Sequence, residues 1–176
     1  MALFQDTLLE NLPYLRAYAR RLSRDRAMAD DLVQETAFRA LCNVDKFMPG
    51  TNMKAWLSAI LRNQFYDELR SRSRIAAYAA IPHPTGQAGE QESLLELRDF
   101  EQEFAMLPAV QREALSLVGA SGFSYEEAAT IAGCPPGTIK SRVCRARSTL
   151  ERRLRDETPA QSLAPIPGVA EFQIAA

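Results

Sequence analysis

The stretch FSYEEAATIAGCPPGTIKSRVCRARSTL, residues 123–150, constrains this chain more than any other. Ser124 is a good helix N-cap, and Glu127 stands three residues later, the spacing of a capping box. Ala128, Ala129, Ile131 and Ala132 are small or apolar, as a helix packed closely on a second one requires. Gly133 can close that helix in a left-handed turn, and Pro135-Pro136 opens the next. Two short helices around a glycine turn are the order of a helix-turn-helix, whose second helix enters the DNA major groove.

The second helix has the angular arrangement that this role needs. At 100° per residue, Ile139, Val143, Ala146, Leu150 and Leu154 form one apolar stripe. Gly137, Ser141, Cys144, Arg145 and Ser148 lie opposite, flanked by Lys140 and Arg142. Small and polar residues let a backbone approach base pairs. Lys140 and Arg145 can donate to guanine edges or phosphates. Thr138 and the free amides at the helix start can hold a phosphate. The plain alternative is an amphipathic surface helix.

The rest of the chain also reads as helix. Leu8, Leu12, Leu15, Tyr18, Ala19 and Leu22 recur at helical spacing, with Pro13 marking a first turn or a break. A second helix is expected over about 26–44, with Ala29, Leu32, Val33, Thr36, Ala37, Ala40, Leu41 and Val44 inward. FMPGTN, residues 47–52, reads as a loop. A third helix is expected over about 52–74, with Met53, Leu57, Ile60, Leu61 and Phe65 buried. Residues 79–92 have the Pro, Gly and Gln content of a linker. Helical pattern resumes near Ser93. Pro108 starts a helix containing Val110, Ala114, Leu115 and Val118, and Gly119–Phe123 reads as a loop. No segment shows sustained strand alternation. The expectation is therefore all-α, in two small helical domains, 1–76 and 93–157, joined by a flexible linker, 77–92. A tail rich in Pro and Ala occupies 158–176 and is expected to be flexible.

Charge supports two nucleic-acid-facing modules. The net charge is −1, but it conceals segregation. Residues 54–74 carry Lys54, Arg62, Arg70, Arg72 and Arg74 against Asp67 and Glu68. Residues 140–155 carry seven basic residues against Glu151 alone, and 90–103 carries six acidic residues with only Arg98. Two basic stripes around an acidic stretch suit two DNA contacts, though charged helix faces are common in themselves.

Other classes fit poorly. With 47% apolar and 24% charged residues the chain is not of disordered composition. No apolar run approaches the ~20 residues of a membrane span. The N-terminus lacks the order of a signal peptide, so a cytoplasmic location is expected. Cys42, Cys134 and Cys144 are too few and scattered for a disulfide framework, and read as reduced thiols. His83 is the only histidine and there is no C-x-x-C, so neither a metal site nor a His-based relay is expected. Phosphate-binding glycine loops are absent. Neither an enzyme nor a cofactor is expected.

Two surfaces of the N-terminal half stand out. On the third helix, Trp56, Asn63, Asp67 and Arg70 fall within about 60° of one another. An aromatic ring beside amide, carboxylate and guanidinium groups can stack on an unpaired base and bond its edge. Trp56 can equally be a core tryptophan, and Asn63 a satisfied local hydrogen-bonder. On the second helix, Asp31, Gln34, Glu35 and Arg39 form a polar face with Phe38 in its middle. That suits a partner surface, or else burial of Phe38 against the first helix.

Assembled, these residues resemble the extracytoplasmic-function (ECF) sigma factors of bacterial RNA polymerase, across most of residues 8–155. ADDLVQETAFRAL and MKAWLSAILRNQFYDELRSR match the family's region 2. LPAVQREALSLVGASGFSYEEAATIAGCPPGTIKSRVCRAR matches its region 4. PGTNMKAWL and LVGASGFSYEEAA are similar to the EcfG-type subgroup of the alphaproteobacterial general stress response. The resemblance implies core RNA polymerase and promoter DNA as partners, with no homo-oligomer. Asp30, Asp31, Gln34, Glu35 and Phe38 would dock on the β′ clamp helices. Asn52, Lys54, Trp56, Arg62, Asn63, Asp67 and Arg70 would take the melted −10 strand. Gly137, Thr138, Lys140, Ser141, Arg142, Cys144 and Arg145 would read the −35 duplex, with the β flap as a further contact. The subgroup also implies a NepR-type anti-sigma factor that hides the polymerase-binding face, and a phosphorylated PhyR-type regulator that withdraws it. The near-neutral net charge fits, because polymerase supplies the bulk affinity for DNA. A sigma-mimic decoy would carry a receiver domain and degenerate DNA-binding residues, whereas Asn63 and GTIKSR stand intact. An ordinary helix-turn-helix regulator would leave the N-terminal half unused.

Overall fold

The computed structural model describes residues 2–78 and 95–156. The expected linker lies almost wholly outside them and the expected tail entirely so. Among the described residues there are seven α-helices and no strand. They are α1 (Ala2–Ser23), α2 (Arg26–Cys42), α3 (Met53–Tyr78), α4 (Leu95–Ala105), α5 (Ala109–Leu115), α6 (Tyr125–Ala132) and α7 (Pro136–Asp156). A 3-10 turn covers Val44–Lys46 and a π turn covers Ser116–Ala120.

Helices α1–α3 make the first unit. Asp25 caps α2 by accepting from the Met28 N–H at 3.0 Å, and Asn52 caps α3 by accepting from the Ala55 N–H at 3.1 Å. The expected stripes meet in its core: Leu15, Tyr18, Leu22, Ala29, Leu32, Val33, Ala40, Leu57, Leu61 and Phe65 are buried. Each large side chain among them contributes roughly 1.5–3 kcal/mol relative to exposure. Thr36 on α2 donates to the Gln64 Oε1 of α3 at 3.2 Å, so that buried hydroxyl is satisfied across the interface.

Pro13 neither starts nor breaks α1, which runs through it unbroken. The only backbone bond it removes is to the Leu9 carbonyl. Both residues are exposed, so water can take that acceptor. Leu41, expected inside, is 45% exposed and lies one turn from the exposed Phe38.

Helices α4–α7 make the second unit. α6 and α7 bury Ala128, Ala129, Ile131, Ala132, Ile139 and Val143. Leu107, Ala146 and Leu150 form a smaller cluster with Phe104 and Leu115. α5 departs from expectation. Val110 is 39% exposed, while Arg112 and Glu113 are buried. The expected loop after it is in part a π turn, closed by the Ser121 N–H on the Ser116 carbonyl at 2.9 Å. Val118 sits inside that turn.

The two units are not apart. One apolar cluster runs through both, and Tyr14 meets Phe123 edge-on at 6.5 Å between ring centroids. Arg112 of α5 donates from Nε to the Arg21 carbonyl (2.9 Å) and from Nη2 to the Leu22 carbonyl (2.7 Å). Its Nη1 donates to the Leu107 carbonyl at 2.7 Å. One guanidinium thus satisfies the free carbonyls at the end of α1 and ties that end to the second unit.

Candidate nucleic-acid interface

The helix-turn-helix forms as its local chemistry dictates. Ser124 Oγ accepts from the Glu127 N–H (3.1 Å), and Glu127 Oε2 accepts from the Ser124 N–H (2.9 Å). That backbone N–H, together with the weaker bond from Asn52, holds the Glu127 carboxyl below its usual range. Gly133 is left-handed at φ 61°. The Cys134 N–H returns to the Ala129 carbonyl and the Gly133 N–H to the Thr130 carbonyl, a Schellman closure. Ser124→Ala should lower stability by about 1 kcal/mol. A urea midpoint unchanged by that substitution would show the cap to be idle.

α7 presents its polar side outward. Ile139, Val143, Ala146 and Leu150 are buried, while Gly137, Lys140, Cys144, Arg145, Arg147 and Ser148 are exposed. Among the described residues, Lys140, Arg142, Arg145 and Arg147 form no ion pair. The α7 cations that do pair lie near its end: Arg153 with Glu103 at 2.9 Å and Arg155 with Glu151 at 2.6 Å. Cations without carboxylates on the exposed side of a helix start are available to phosphates and base edges. Thr138, Ser141 and Arg142 are half-buried rather than open. Ser141 donates to the Thr138 carbonyl and accepts from Arg145 at 3.4 Å. Arg142 lies back on Cys134, with Nη1 3.9 Å from Sγ. Lys140 Nζ stands 5.6 Å from the Tyr125 ring centroid.

The residues assigned to the melted strand divide into three groups. Asn63, Asp67 and Arg70 stay together on an exposed face, with Asp67 bonded to Arg70. Trp56 turns toward Phe47 (5.3 Å) and Phe4 (6.2 Å) and is half-buried with them. Its neighbours Phe4, Phe47 and Met53 wall a hollow of about 400 Å³ beside the 47–52 loop. Lys54, Arg62 and Asn52 point at the second unit. Lys54 Nζ donates to the Ser121 carbonyl at 2.7 Å and lies 4.4 Å from the Tyr14 ring centroid. Arg62 Nε donates to Glu113 Oε1 at 2.6 Å and Nη1 to Asn63 Oδ1 at 3.3 Å. Asn52 Nδ2 donates to Glu127 Oε1 at 3.2 Å.

The α2 face is open. Asp31, Gln34, Glu35 and Phe38 are exposed, Phe38 by 62%, and Asp30 is half-buried. Glu35 pairs with Arg39 at 2.6 Å. Phe38 is therefore not taken up by the first helix. A groove of about 440 Å³ runs from this face to Asp67 and Arg72 of α3. A second cleft, of about 650 Å³, has no counterpart in the sequence pattern. Phe100 and Phe104 of α4, Leu115, the π turn and Leu150 line it, with Arg21 and Arg147 at its edge.

Residues 8–75 match the model of sigma-70 region 2, and residues 97–150 that of sigma-70 region 4. The chain is 52% identical over 153 residues to the ECF RNA polymerase sigma factor EcfG of Rhodopseudomonas palustris, covering 85% of this chain and 84% of that one. It is 39% identical over 129 residues to the ECF sigma factor SigC of Mycobacterium tuberculosis, covering 72% and 70%. The sigma factor RpoE of Bartonella quintana, solved with the anti-sigma factor NepR, superposes with a TM-score of 0.81 at 46% identity, over 89% of this chain and 99% of that one. With the region 2 match before the region 4 match and the helix-turn-helix inside the second, the chain belongs to the ECF sigma factors of the sigma-70 family.

Proposed function

We propose that this sigma factor joins core RNA polymerase through α2 and directs it to promoters of an EcfG-type general stress response. Residues 1–76 dock and take the −10 strand, and residues 93–157 read the −35 duplex. The observation that carries this reading is the pair of surfaces on one chain: an exposed acidic and aromatic face on α2 and an unpaired cationic face on α7. Each is of little use without polymerase to hold the two on one promoter.

A NepR-type anti-sigma factor is the proposed inhibitor. Phe38 and Leu41 on α2, and the cleft lined by Phe100, Phe104 and Leu150, are unpartnered apolar surfaces on the two units. Amphipathic helices occupy grooves of this kind, and one partner reaching both would cover the polymerase-facing side. No helix among the described residues is long and apolar enough to cross a membrane.

Asp31→Arg with Phe38→Ala tests the docking face. An exposed aromatic anchor and a reversed charge together should weaken assembly with core polymerase by roughly 100-fold. The isolated variant should still bind −35 DNA as well as the parent does. Undiminished assembly would move the docking site elsewhere.

A further inference from the structure

We propose that Tyr125 is a positioning residue for promoter reading: its ring aims the Lys140 ammonium without neutralising it, and so sharpens the base preference that Lys140 imposes on the −35 element. The inference rests on the sigma-factor reading of α7 and goes beyond it, because Tyr125 opens α6 and is not among the residues assigned to the duplex. Lys140 Nζ lies over the Tyr125 ring, 5.6 Å from its centroid, inside the ~6 Å at which a ring face attracts an ammonium. The lysine is exposed, whereas the tyrosine is half-buried and packed against the core. The ring is thus the fixed partner and the lysine the one that is steered.

The choice of a ring matters. A carboxylate would also hold the lysine, but a phosphate or a base edge would then have to displace it. A ring attracts the charge through its quadrupole and occupies no oxygen-seeking N–H. Glu126 and Glu127 follow Tyr125 directly, yet among the described residues neither forms an ion pair with Lys140. The capping box turns Glu127 back onto the Ser124 N–H at 2.9 Å. Neighbouring cations of α7 are held in the same manner. Arg145 Nη2 donates to Ser141 Oγ at 3.4 Å, and Arg142 Nη1 lies 3.9 Å from Cys134 Sγ. Lys140, Arg142 and Arg145 are each steered by an uncharged partner, so each keeps its full charge for the nucleic acid. A lysine on a free stem loses rotamer freedom when it meets a base, and it reaches phosphates and several base positions alike. Holding it beforehand removes part of that cost and narrows what it can reach. Loss of the ring therefore costs selectivity more than it costs structure.

The experiment uses the full-length protein with core polymerase. Run-off yields are measured on a promoter that the parent selects from a pool randomised in the −35 region, and on every single base-pair variant of that region. Together they give a preference profile. Lys140→Ala should flatten the profile at the positions that the lysine reads. Tyr125→Leu keeps an apolar side chain against the core and should lower discrimination at those same positions by about two- to fivefold, the weight of an exposed contact of this kind. The other positions should keep their preference. Tyr125→Phe retains the ring and should retain the parent profile. In the Lys140→Ala background, Tyr125→Leu should change nothing further, since the two residues act as one. A Tyr125→Leu profile equal to the parent's would overturn the proposal, as would a uniform loss at every −35 sequence, which is the mark of a merely structural role. So would an effect of Tyr125→Leu that persists without Lys140, which would make the tyrosine a DNA contact in its own right. Failure of the sigma-factor reading shows separately, as a parent that selects no sequence from the pool.

Discussion

Replacing Lys140 and Arg145 together by alanine is expected to abolish initiation at −35-dependent promoters while leaving assembly with core polymerase near normal. Both side chains are exposed near the start of α7, and neither has an acidic partner among the described residues to be released by the change. A good contact from such a residue to a base edge is worth about 1–3 kcal/mol, and one to phosphate adds an increment independent of sequence. Two together amount to roughly 10²–10³-fold at promoters that depend on the upstream element. Alanine suits α7, and the buried face of Ile139, Val143 and Ala146 is untouched, so stability should hold. Run-off transcription and core-binding titration measure the two halves of this expectation. Lost polymerase binding would show that the α7 face was misassigned.

Arg112→Ala should be among the most destabilising single substitutions in the chain. Its guanidinium serves the Arg21, Leu22 and Leu107 carbonyls, and burial pulls its pKa down to about 10, which leaves it charged at neutral pH. Removing it strands buried acceptors and leaves a cavity, at a cost of about 3–5 kcal/mol. Arg112→Lys should recover only part of this, because one ammonium cannot fork to the carbonyls at the end of α1 and to that of Leu107 in the turn before α5. Denaturant midpoints for the parent and both variants give the ranking directly. A loss within about 0.5 kcal/mol would mean that water replaces the guanidinium without cost.

The helix-turn-helix is legible in the sequence because its signals are local. A capping serine, a glutamate three residues on, a glycine able to turn left-handed and a proline pair each act within a few residues, and the serine, glutamate and glycine each form the bond expected of them. The α2 face is legible only in part: with Phe38 among Asp31, Gln34, Glu35 and Arg39 the sequence leaves open a partner surface or burial against the first helix, and Phe38 is exposed. The contact between the units is not legible. On a helical wheel Arg112 and Glu113 look like residues for solvent. Only their tertiary partners, the end of α1 and the Arg62–Tyr66 pair, make burying them tolerable. For the same reason the sequence assigns Lys54 and Arg62 only to DNA, because periodicity names a face without naming what lies across from it. Trp56 is partly buried against the core beside Phe4 and Phe47, so it is neither a fully buried tryptophan nor a bare aromatic face.

The wide turn at Ser116–Ala120 has a consequence for aim. A π turn holds one residue more than the same length of α-helix, and one residue is about 100° of rotation. The chain leaves the turn with that offset and, after the loop of residues 121–124, runs into α6 and α7. The heading of α7 thus depends on a chain-length offset of one, well upstream of the helix itself. A homologue that drops or adds a residue there keeps every exposed side chain of α7 and turns them all to a different compass bearing.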